Sequence, residues 1–165
     1  MAETATLPPK LAETLDLLAL MPDRADRIQL LIDLADRFVD VPERVAQRPF
    51  SCDDRVPACE SEAYVWAERR PDGRLDFHFA VENPQGISAK SFAAILRESL
   101  SSQPLDQIAE LSTDLVYDVY SQELSMGKSM GLMAMLQMVK ALAKKGMGEG
   151  VVREGVAREE VPVAS

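Results

Sequence analysis

Residues 75–81 alternate between large hydrophobic and other side chains, and this pattern constrains the fold more than any other in the chain. The large hydrophobic residues of the run are Leu75, Phe77, Phe79 and Val81. A period of two is typical of a β-strand with one buried face. Residues 62–69 form a second strand-like run, and Pro71, Asp72 and Gly73 stand between the two in the order of a tight turn. We therefore predict an antiparallel hairpin over about residues 62–82.

Most of the remaining chain carries apolar residues at helical spacing. Residues 10–21 predict one helix before the hairpin, and Asp23 caps a second. The apolar stripe of this second helix, which we expect to face the core, consists of Ile28, Leu31, Ile32, Ala35, Phe38 and Val39. Further helices are predicted over about residues 88–100, 104–111, 113–120 and 128–145. The expected fold class is α+β, with a small antiparallel sheet packed against several α-helices.

The length of 165 residues is that of one domain with its own hydrophobic core. We expect this domain to span residues 10–146. Residues 1–9 are expected to be a flexible N-terminus. Residues 147–165 mix Gly, Glu, Arg and Val without amphipathic order, which is typical of a disordered tail.

Acidic side chains outnumber basic ones by 27 to 18, which leaves a formal net charge of −9. Binding to nucleic acid or to an anionic membrane depends on clustered cations, so neither partner is expected. A protein partner with a basic rim fits this charge better. The longest apolar run, residues 15–21, is interrupted by Asp16 and is too short to cross a bilayer. Residues 1–10 lack the pattern of a secretory signal, so we expect a cytoplasmic protein.

Two cysteines, Cys52 and Cys59, and a single histidine, His78, are the first candidates for chemistry. In a reducing compartment a cysteine pair is more often reactive or inert than bridged. One histidine without a CxxC motif cannot complete a four-ligand zinc or iron–sulfur site, so no metal and no cofactor are expected. His78 falls on the polar side of its strand, where we expect it to be exposed and not paired with Cys59.

Cys59 stands on a predicted loop that leads into the first strand. Prolines interrupt residues 41–58, and Pro57 favours an extended backbone shortly before Cys59. A thiol on such a loop can reach a second protein. Free cysteines are nevertheless among the most buried residues, so a packed and inert Cys59 is the alternative. Cys52 is expected to be a bystander, although oxidation could join it to Cys59.

Three short segments resemble the SufE family. Val-Pro-Ala-Cys-Glu-Ser-Glu at residues 56–62, followed by an aromatic β run, resembles the family segment V-x-G-C-x-S-x-V. Residues 124–132 resemble the family's L-S/T-P-S-R-x-x-G-L segment, and residues 87–96 occupy the place of its I-V-x-G-L helix. The order and spacing of these segments extend the resemblance over about residues 10–145.

The sequence departs from the family pattern at two positions. Ala58 stands where the family usually has Gly, so the backbone before Cys59 either needs no positive φ or is strained. Lys128 stands where the family usually has Arg, and it offers a point charge in place of a bidentate fork.

SufE proteins accept sulfur from cysteine desulfurases during iron–sulfur cluster assembly. The resemblance implies that Cys59 is the persulfide acceptor and that Lys128 is a supporting cation. It implies a pyridoxal-phosphate cysteine desulfurase as the partner and an iron–sulfur scaffold complex downstream. We expect Cys59 to be sheltered between the hairpin and the last helix. Two other interpretations stay open, a non-catalytic acidic adaptor and a thiol redox sensor that uses Cys52 with Cys59.

Five of the eight methionines lie in or beside the last predicted helix. They are Met126, Met130, Met133, Met135 and Met138. Filling of the core is the favoured interpretation, because methionine adapts to irregular gaps. Methionine also suits adaptable contact surfaces, so any exposed part of the cluster beside Cys59 is a candidate docking patch.

Overall fold

The computed structural model describes residues 6–121 and 124–149. In these two ranges the chain forms six α-helices and one two-stranded antiparallel sheet, which confirms the predicted α+β class. The helices are α1 (Pro9–Ala19), α2 (Arg24–Asp36), α3 (Ile87–Leu100), α4 (Leu105–Ala109), α5 (Leu115–Tyr120) and α6 (Met126–Glu149). The strands are β1 (Ala63–Arg69) and β2 (Leu75–Val81). No helix in the described ranges has the length and apolar character needed to cross a membrane.

The predicted hairpin is present, and its strands pair in a single register. Ala63 at the start of β1 lies opposite Val81 at the end of β2. The turn closes through a hydrogen bond that Arg70 N donates to Arg74 O over 2.8 Å. Gly73 in this turn has a φ of 88°, a left-handed conformation that glycine adopts without steric cost.

One face of the hairpin packs against two helices. Val65, Phe77 and Phe79 are buried on this face, where β2 contacts α3 and β1 contacts α6. The fully buried side chains that these helices contribute include Phe92, Ile95, Leu96, Leu132, Met135 and Leu136. Each such burial stabilises the fold by about 1.5–3 kcal/mol relative to an exposed side chain. The core therefore lies between the hairpin, α3 and α6.

The other face of the hairpin is covered by the irregular segment between α2 and β1. The ring centroid of Phe50 lies 5.0 Å from that of Tyr64 and 4.8 Å from that of Trp66. His78 on this face is only 8% exposed, and its Nε2 lies 2.9 Å from Glu68 Oε1. The prediction that His78 is exposed is therefore wrong. The alternating pattern predicts that this face of the hairpin is exposed to solvent. It is buried because the irregular segment, which has no periodic pattern to predict its position, packs over it.

Arg48 links the middle of the covering segment to its start and to the end of the hairpin. Its guanidinium donates hydrogen bonds of 3.0 Å to Asp40, which follows α2, and to Glu82, which follows β2. The same group lies over the ring of Phe50, 4.7 Å from the centroid. Bidentate contacts of this kind fix the orientation of a guanidinium, so the segment is an ordered cover of the hairpin.

The apolar stripe predicted for the second helix is partly wrong. Leu31 and Leu34 are buried, whereas Ile28, Ile32 and Val39 are 38%, 36% and 47% exposed. In the described structure α2 packs mainly against α3, and a single neighbour buries only one side of a helix. Ile28 and Ile32 lie on the flanks of that side and therefore stay at the surface, and Val39 lies beyond the end of α2.

Gly146 does not end the last helix, contrary to prediction. A Cβ at this position would lie 3.2 Å from Leu105 Cδ1 and 3.3 Å from Leu75 Cδ1, so the glycine permits close packing of α6. Arg69 Nη2 also donates to Gly146 O over 3.2 Å. The helix continues to Glu149, and residues 1–5 and 150–165 of the predicted flexible ends lie outside the described residues.

Candidate functional site

Cys59 lies in a closed loop at the start of the hairpin. Arg55 pairs with Tyr64 as an isolated antiparallel bridge, and Val56 N donates to Ala63 O over 2.8 Å. These bonds join the two ends of the loop. Cys59 is only 8% exposed and belongs to the hydrophobic core cluster, as expected for a sheltered thiol.

Two residues of this loop have a left-handed backbone. Ala58 has a φ of 60° and Glu62 has a φ of 54°. This conformation costs a residue with a Cβ roughly 1–2 kcal/mol, whereas glycine adopts it freely. Of the two alternatives that the sequence left open at Ala58, the strained one is present. The loop around Cys59 therefore stores conformational strain on both sides of the thiol.

Gly131 of α6 allows the loop to lie directly on the helix. A Cβ at Gly131 would be 3.3 Å from Cys59 Cα and 3.4 Å from Ala58 O, which is tighter than ordinary contact. The sequence comparison placed Gly131 in a motif without giving it a role. The structure supplies the role, because any larger residue would press on the backbone that carries Cys59.

A cavity of about 170 Å³, called here the inner cavity, lies on one side of Cys59. Its lining residues are Cys59, Glu60, Ser61, Asn83, Gln85, Gly86, Ser88, Ala89, Gly127, Lys128, Gly131 and Leu132. The first turns of α3 and α6 both contribute to this lining. The cavity thus brings Cys59 and Lys128, the two site residues predicted from the sequence, to one place.

The inner cavity brings together two helix N-termini, one lysine and one carboxylate. A helix N-terminus carries partial positive charge on its unpaired N–H groups. The first turn of α3 has no side-chain cap, since its N-cap residue is Gly86. Lys128, in the first turn of α6, adds a full positive charge, and its own N–H donates to Ser125 Oγ over 3.2 Å. Glu60 is the one carboxylate among the residues that line this cavity.

A buried tyrosine forms hydrogen bonds with the first turns of α3, which line this cavity. Tyr120 Oη donates to Ser88 O over 3.1 Å and lies 2.6 Å from Ser91 Oγ. Burial raises the pKa of Tyr120 well above its usual value, so the hydroxyl stays a neutral donor. The sequence analysis started this helix at about residue 88 and missed this contact, whereas α3 begins at Ile87. The sequence around Tyr120 does not indicate which distant backbone group its hydroxyl binds.

A second and more open depression of about 480 Å³, called here the outer depression, lies on the other side of Cys59. Its lining residues are Cys52, Arg55, Val56, Pro57, Ala58, Cys59 and Glu60. Both cysteines are free thiols, and Cys52 is exposed whereas Cys59 is buried. Cys59 therefore borders two spaces, one shared with Lys128 and the other with Cys52.

The remaining chemistry-bearing residue, His78, is engaged elsewhere. It contacts Glu68 on the covered face of the hairpin, and this hydrogen bond is the main cause that lowers the pKa of Glu68. Within residues 6–121 and 124–149, no group of three or more His, Cys, Asp or Glu is arranged to hold a metal ion.

Fold and site together define a small α+β protein that shelters a single cysteine between a hairpin and the start of its longest helix. The profile of the Fe-S metabolism associated domain, SufE, matches residues 12–143. The chain therefore belongs to the SufE family and has a role in iron–sulfur metabolism.

A solved structure shares this fold. The solution structure of a hypothetical protein from Thermus thermophilus superimposes with a TM-score of 0.68. The match covers 87% of this chain and 99% of that chain, at 23% sequence identity. A search of curated proteins finds no match. At this identity the superposition shows the common fold alone.

Proposed function

We propose that this protein is the sulfur acceptor and activator of a pyridoxal-phosphate cysteine desulfurase and that it carries a persulfide on Cys59 for iron–sulfur cluster assembly. The observation that carries the proposal is the setting of Cys59. The thiol occupies the cysteine position of the family segment, lies buried at 8% exposure, and stands on a strained loop between two cavities.

The proposed reaction is an exchange between a persulfide and a thiol. The desulfurase carries its product sulfur as a cysteine persulfide, and the thiolate of Cys59 attacks the terminal sulfur. The sulfur–sulfur bond on the desulfurase breaks while a new one forms on Cys59. The desulfurase cysteine leaves as a thiolate and takes up the proton that Cys59 has lost, so no oxidant or reductant is consumed.

The inner cavity places positive charge beside the sulfur that Cys59 would accept. The N-termini of α3 and α6 and the charge of Lys128 favour a negative charge in this space. Burial among apolar side chains also protects the persulfide from thiols in solution. Charged groups on one side of Cys59 therefore assist acceptance, and the apolar side chains around it shelter the product.

Acceptance requires the Cys59 loop to move outward, because a thiol that is 8% exposed cannot meet a persulfide on another protein. The strain at Ala58 and Glu62 lowers the cost of leaving the resting conformation. Glu62 N donates to Cys59 O over 3.2 Å, and this bond within the loop can move with it. We expect the desulfurase to select the outward conformation.

Exposed hydrophobic side chains beside the inner cavity supply a contact surface for the desulfurase. Met126 and Met130 on α6 are 78% and 53% exposed, and Ile87 at the start of α3 is 48% exposed. Met135, by contrast, is fully buried. The methionine cluster is thus divided between core and surface, and its exposed part adjoins Gly127, which lines the inner cavity.

A single-turnover assay tests the acceptor role. A pyridoxal-phosphate cysteine desulfurase from the source organism is charged with cysteine, mixed with this protein without reductant, and the intact masses are measured. The wild type and Cys52→Ser are expected to gain the mass of sulfur and, in a parallel assay of sulfide release with reductant, to stimulate the desulfurase. Cys59→Ser is expected to gain none and to lose the stimulation while it keeps its circular dichroism spectrum.

The alternatives give different results in the same assay. A non-catalytic adaptor binds the desulfurase but gains no sulfur in any variant. If Cys59→Ser takes up as much sulfur as Cys52→Ser, Cys59 is not the acceptor.

A further inference from the structure

Cys52 occupies a defined position beside the acceptor loop. It begins a short 3-10 turn, Cys52–Asp54, and Ser51 Oγ caps this turn by accepting from Asp53 N over 3.0 Å. Trp66 Nε1 on β1 donates to Asp54 Oδ2 over 3.0 Å. The turn is thus bound to the hairpin and is separate from the strained loop that carries Cys59.

The two thiols border the same depression but differ in access to solvent. Cys52 and Cys59 both line the outer depression, whose volume is about 480 Å³. Cys52 is exposed, whereas Cys59 is buried. Space for a transferred sulfur atom therefore lies between a sheltered thiol and an accessible one.

We propose that Cys52 is a relay thiol, which takes the sulfur from the Cys59 persulfide and presents it at the surface. This proposal rests on the function proposed above for Cys59. It assigns the two thiols to different steps, uptake from the desulfurase at Cys59 and delivery to an acceptor thiol at Cys52. The sheltered thiol protects the sulfur during transfer from the desulfurase, and the exposed thiol releases it without a second outward movement of the loop.

The relay step balances without a further reactant. The thiolate of Cys52 attacks the terminal sulfur of the Cys59 persulfide, so that a sulfur–sulfur bond forms on Cys52 as the one on Cys59 breaks. Cys59 leaves as a thiolate and takes the proton given up by Cys52. Attack on the inner sulfur would have another result, a disulfide between the two cysteines and release of hydrogen sulfide.

The sequence allows the position of the sulfur to be read directly. Trypsin cleaves after Arg55 but not at the bond between Arg48 and Pro49, so Cys52 and Cys59 are recovered in separate peptides, residues 45–55 and 56–69. The protein is charged by the cysteine desulfurase and cysteine, quenched with acid at successive times, alkylated in denaturant and digested. Mass spectrometry then gives the fraction of each peptide that carries one added sulfur.

In the wild type we expect sulfur first on the Cys59 peptide and then on the Cys52 peptide. In Cys52→Ser the sulfur is expected to stay on the Cys59 peptide and to be lost more slowly to glutathione, because the exposed site is absent. In Cys59→Ser neither peptide is expected to gain sulfur. If Cys52 had only a structural role, the added sulfur would not pass from the Cys59 peptide to the Cys52 peptide.

Four outcomes overturn the relay, and they differ in what they imply for Cys59. Sulfur found on the Cys59 peptide alone at all times disproves the relay and leaves the acceptor role intact. Sulfur on the Cys52 peptide of Cys59→Ser shows direct charging of Cys52 instead. A disulfide-linked peptide pair with released sulfide shows attack on the inner sulfur. Sulfur on neither wild-type peptide removes the acceptor role and the relay together.

Discussion

At the scale of single residues, the backbone at Ala58 connects sequence, stability and function. The family usually has glycine at this position, and the φ of 60° at Ala58 is one that glycine adopts without cost. Retention of alanine leaves the resting loop less stable than it could be. This strain lies next to the thiol that has to move outward in the proposed function.

Ala58→Gly is therefore expected to stabilise the protein. Relief of the left-handed strain stabilises the folded state by roughly 1–2 kcal/mol. Glycine also has more conformational freedom in the unfolded chain, which offsets part of this effect. The expected net increase in the free energy of unfolding is about 1 kcal/mol. Urea denaturation measures this change. Ala46→Gly in the same segment, where φ is not positive, is the control and should destabilise. Equal losses in both variants would contradict strain at Ala58.

Lys128 has two opposed effects that a substitution can separate. It lines the inner cavity with Cys59, and it also stands in the first turn of α6, where a cation opposes the helix dipole. We expect Lys128→Ala to weaken sulfur acceptance several-fold with equal or higher thermal stability, and Lys128→Arg to keep acceptance. Lys144→Ala near the other end of α6 is the control and should leave acceptance unchanged. Unchanged acceptance in Lys128→Ala would leave Lys128 without a role in transfer.

At the scale of elements, the site is a contact between one loop and one helix. The Cys59 loop lies on α6 at Gly131, and the covering segment before it is held to the hairpin by Arg48 and Phe50. The loop that bears the thiol is thus short and strained while its surroundings are anchored. Outward movement can be confined to this loop without disturbing the hairpin.

Gly131→Ala tests the contact between the loop and the helix. Alanine favours a helix over glycine by up to about 1 kcal/mol, but its Cβ would lie 3.3 Å from Cys59 Cα and displace the loop. Gly127→Ala is the matched control, because its nearest neighbour would be Glu60 Oε2 at 3.8 Å. In a Cys52→Ser background, we expect Gly131→Ala to speed alkylation of Cys59 several-fold and Gly127→Ala to leave it unchanged. Equal alkylation rates would argue against the close contact.

The elements that the sequence predicts correctly are those whose signal is local. The hairpin follows from alternation and a turn sequence, and Asp23 caps α2 by accepting from Ala25 N as the N-cap preference predicts. His78 and Gly146 were misread because their environment comes from distant residues, the covering segment in one case and Leu75 with Leu105 in the other. The sequence motif was enough to predict Cys59 as a site residue. Its contact with Gly131 could not be predicted, because the two residues meet only in the folded structure.

At the scale of the whole molecule, charge bears on the choice of partner. The formal net charge is −9, and exposed carboxylates such as Asp53, Glu60 and Glu62 lie in or beside the Cys59 loop. Long-range attraction of opposite charges speeds association and is screened by salt. A desulfurase with a basic rim around its active cysteine would therefore meet this face faster than a neutral one.

Two variants that each reverse one charge, at different places on the surface, can distinguish docking at the Cys59 loop from a general effect of net charge. Glu60→Lys and Glu110→Lys change the net charge equally, but Glu60 lines both cavities at Cys59, whereas Glu110 lies exposed beyond the end of α4 and lines neither. If the basic rim of the desulfurase meets the Cys59 loop, Glu60→Lys should slow association several-fold more than Glu110→Lys at low salt, and the difference should shrink as salt is added. Stopped-flow mixing of the wild type and both variants with the desulfurase at two salt concentrations gives the six rates. Equal slowing by both variants would mean that net charge alone steers the encounter, and no slowing by Glu60→Lys would place the docking face away from the Cys59 loop.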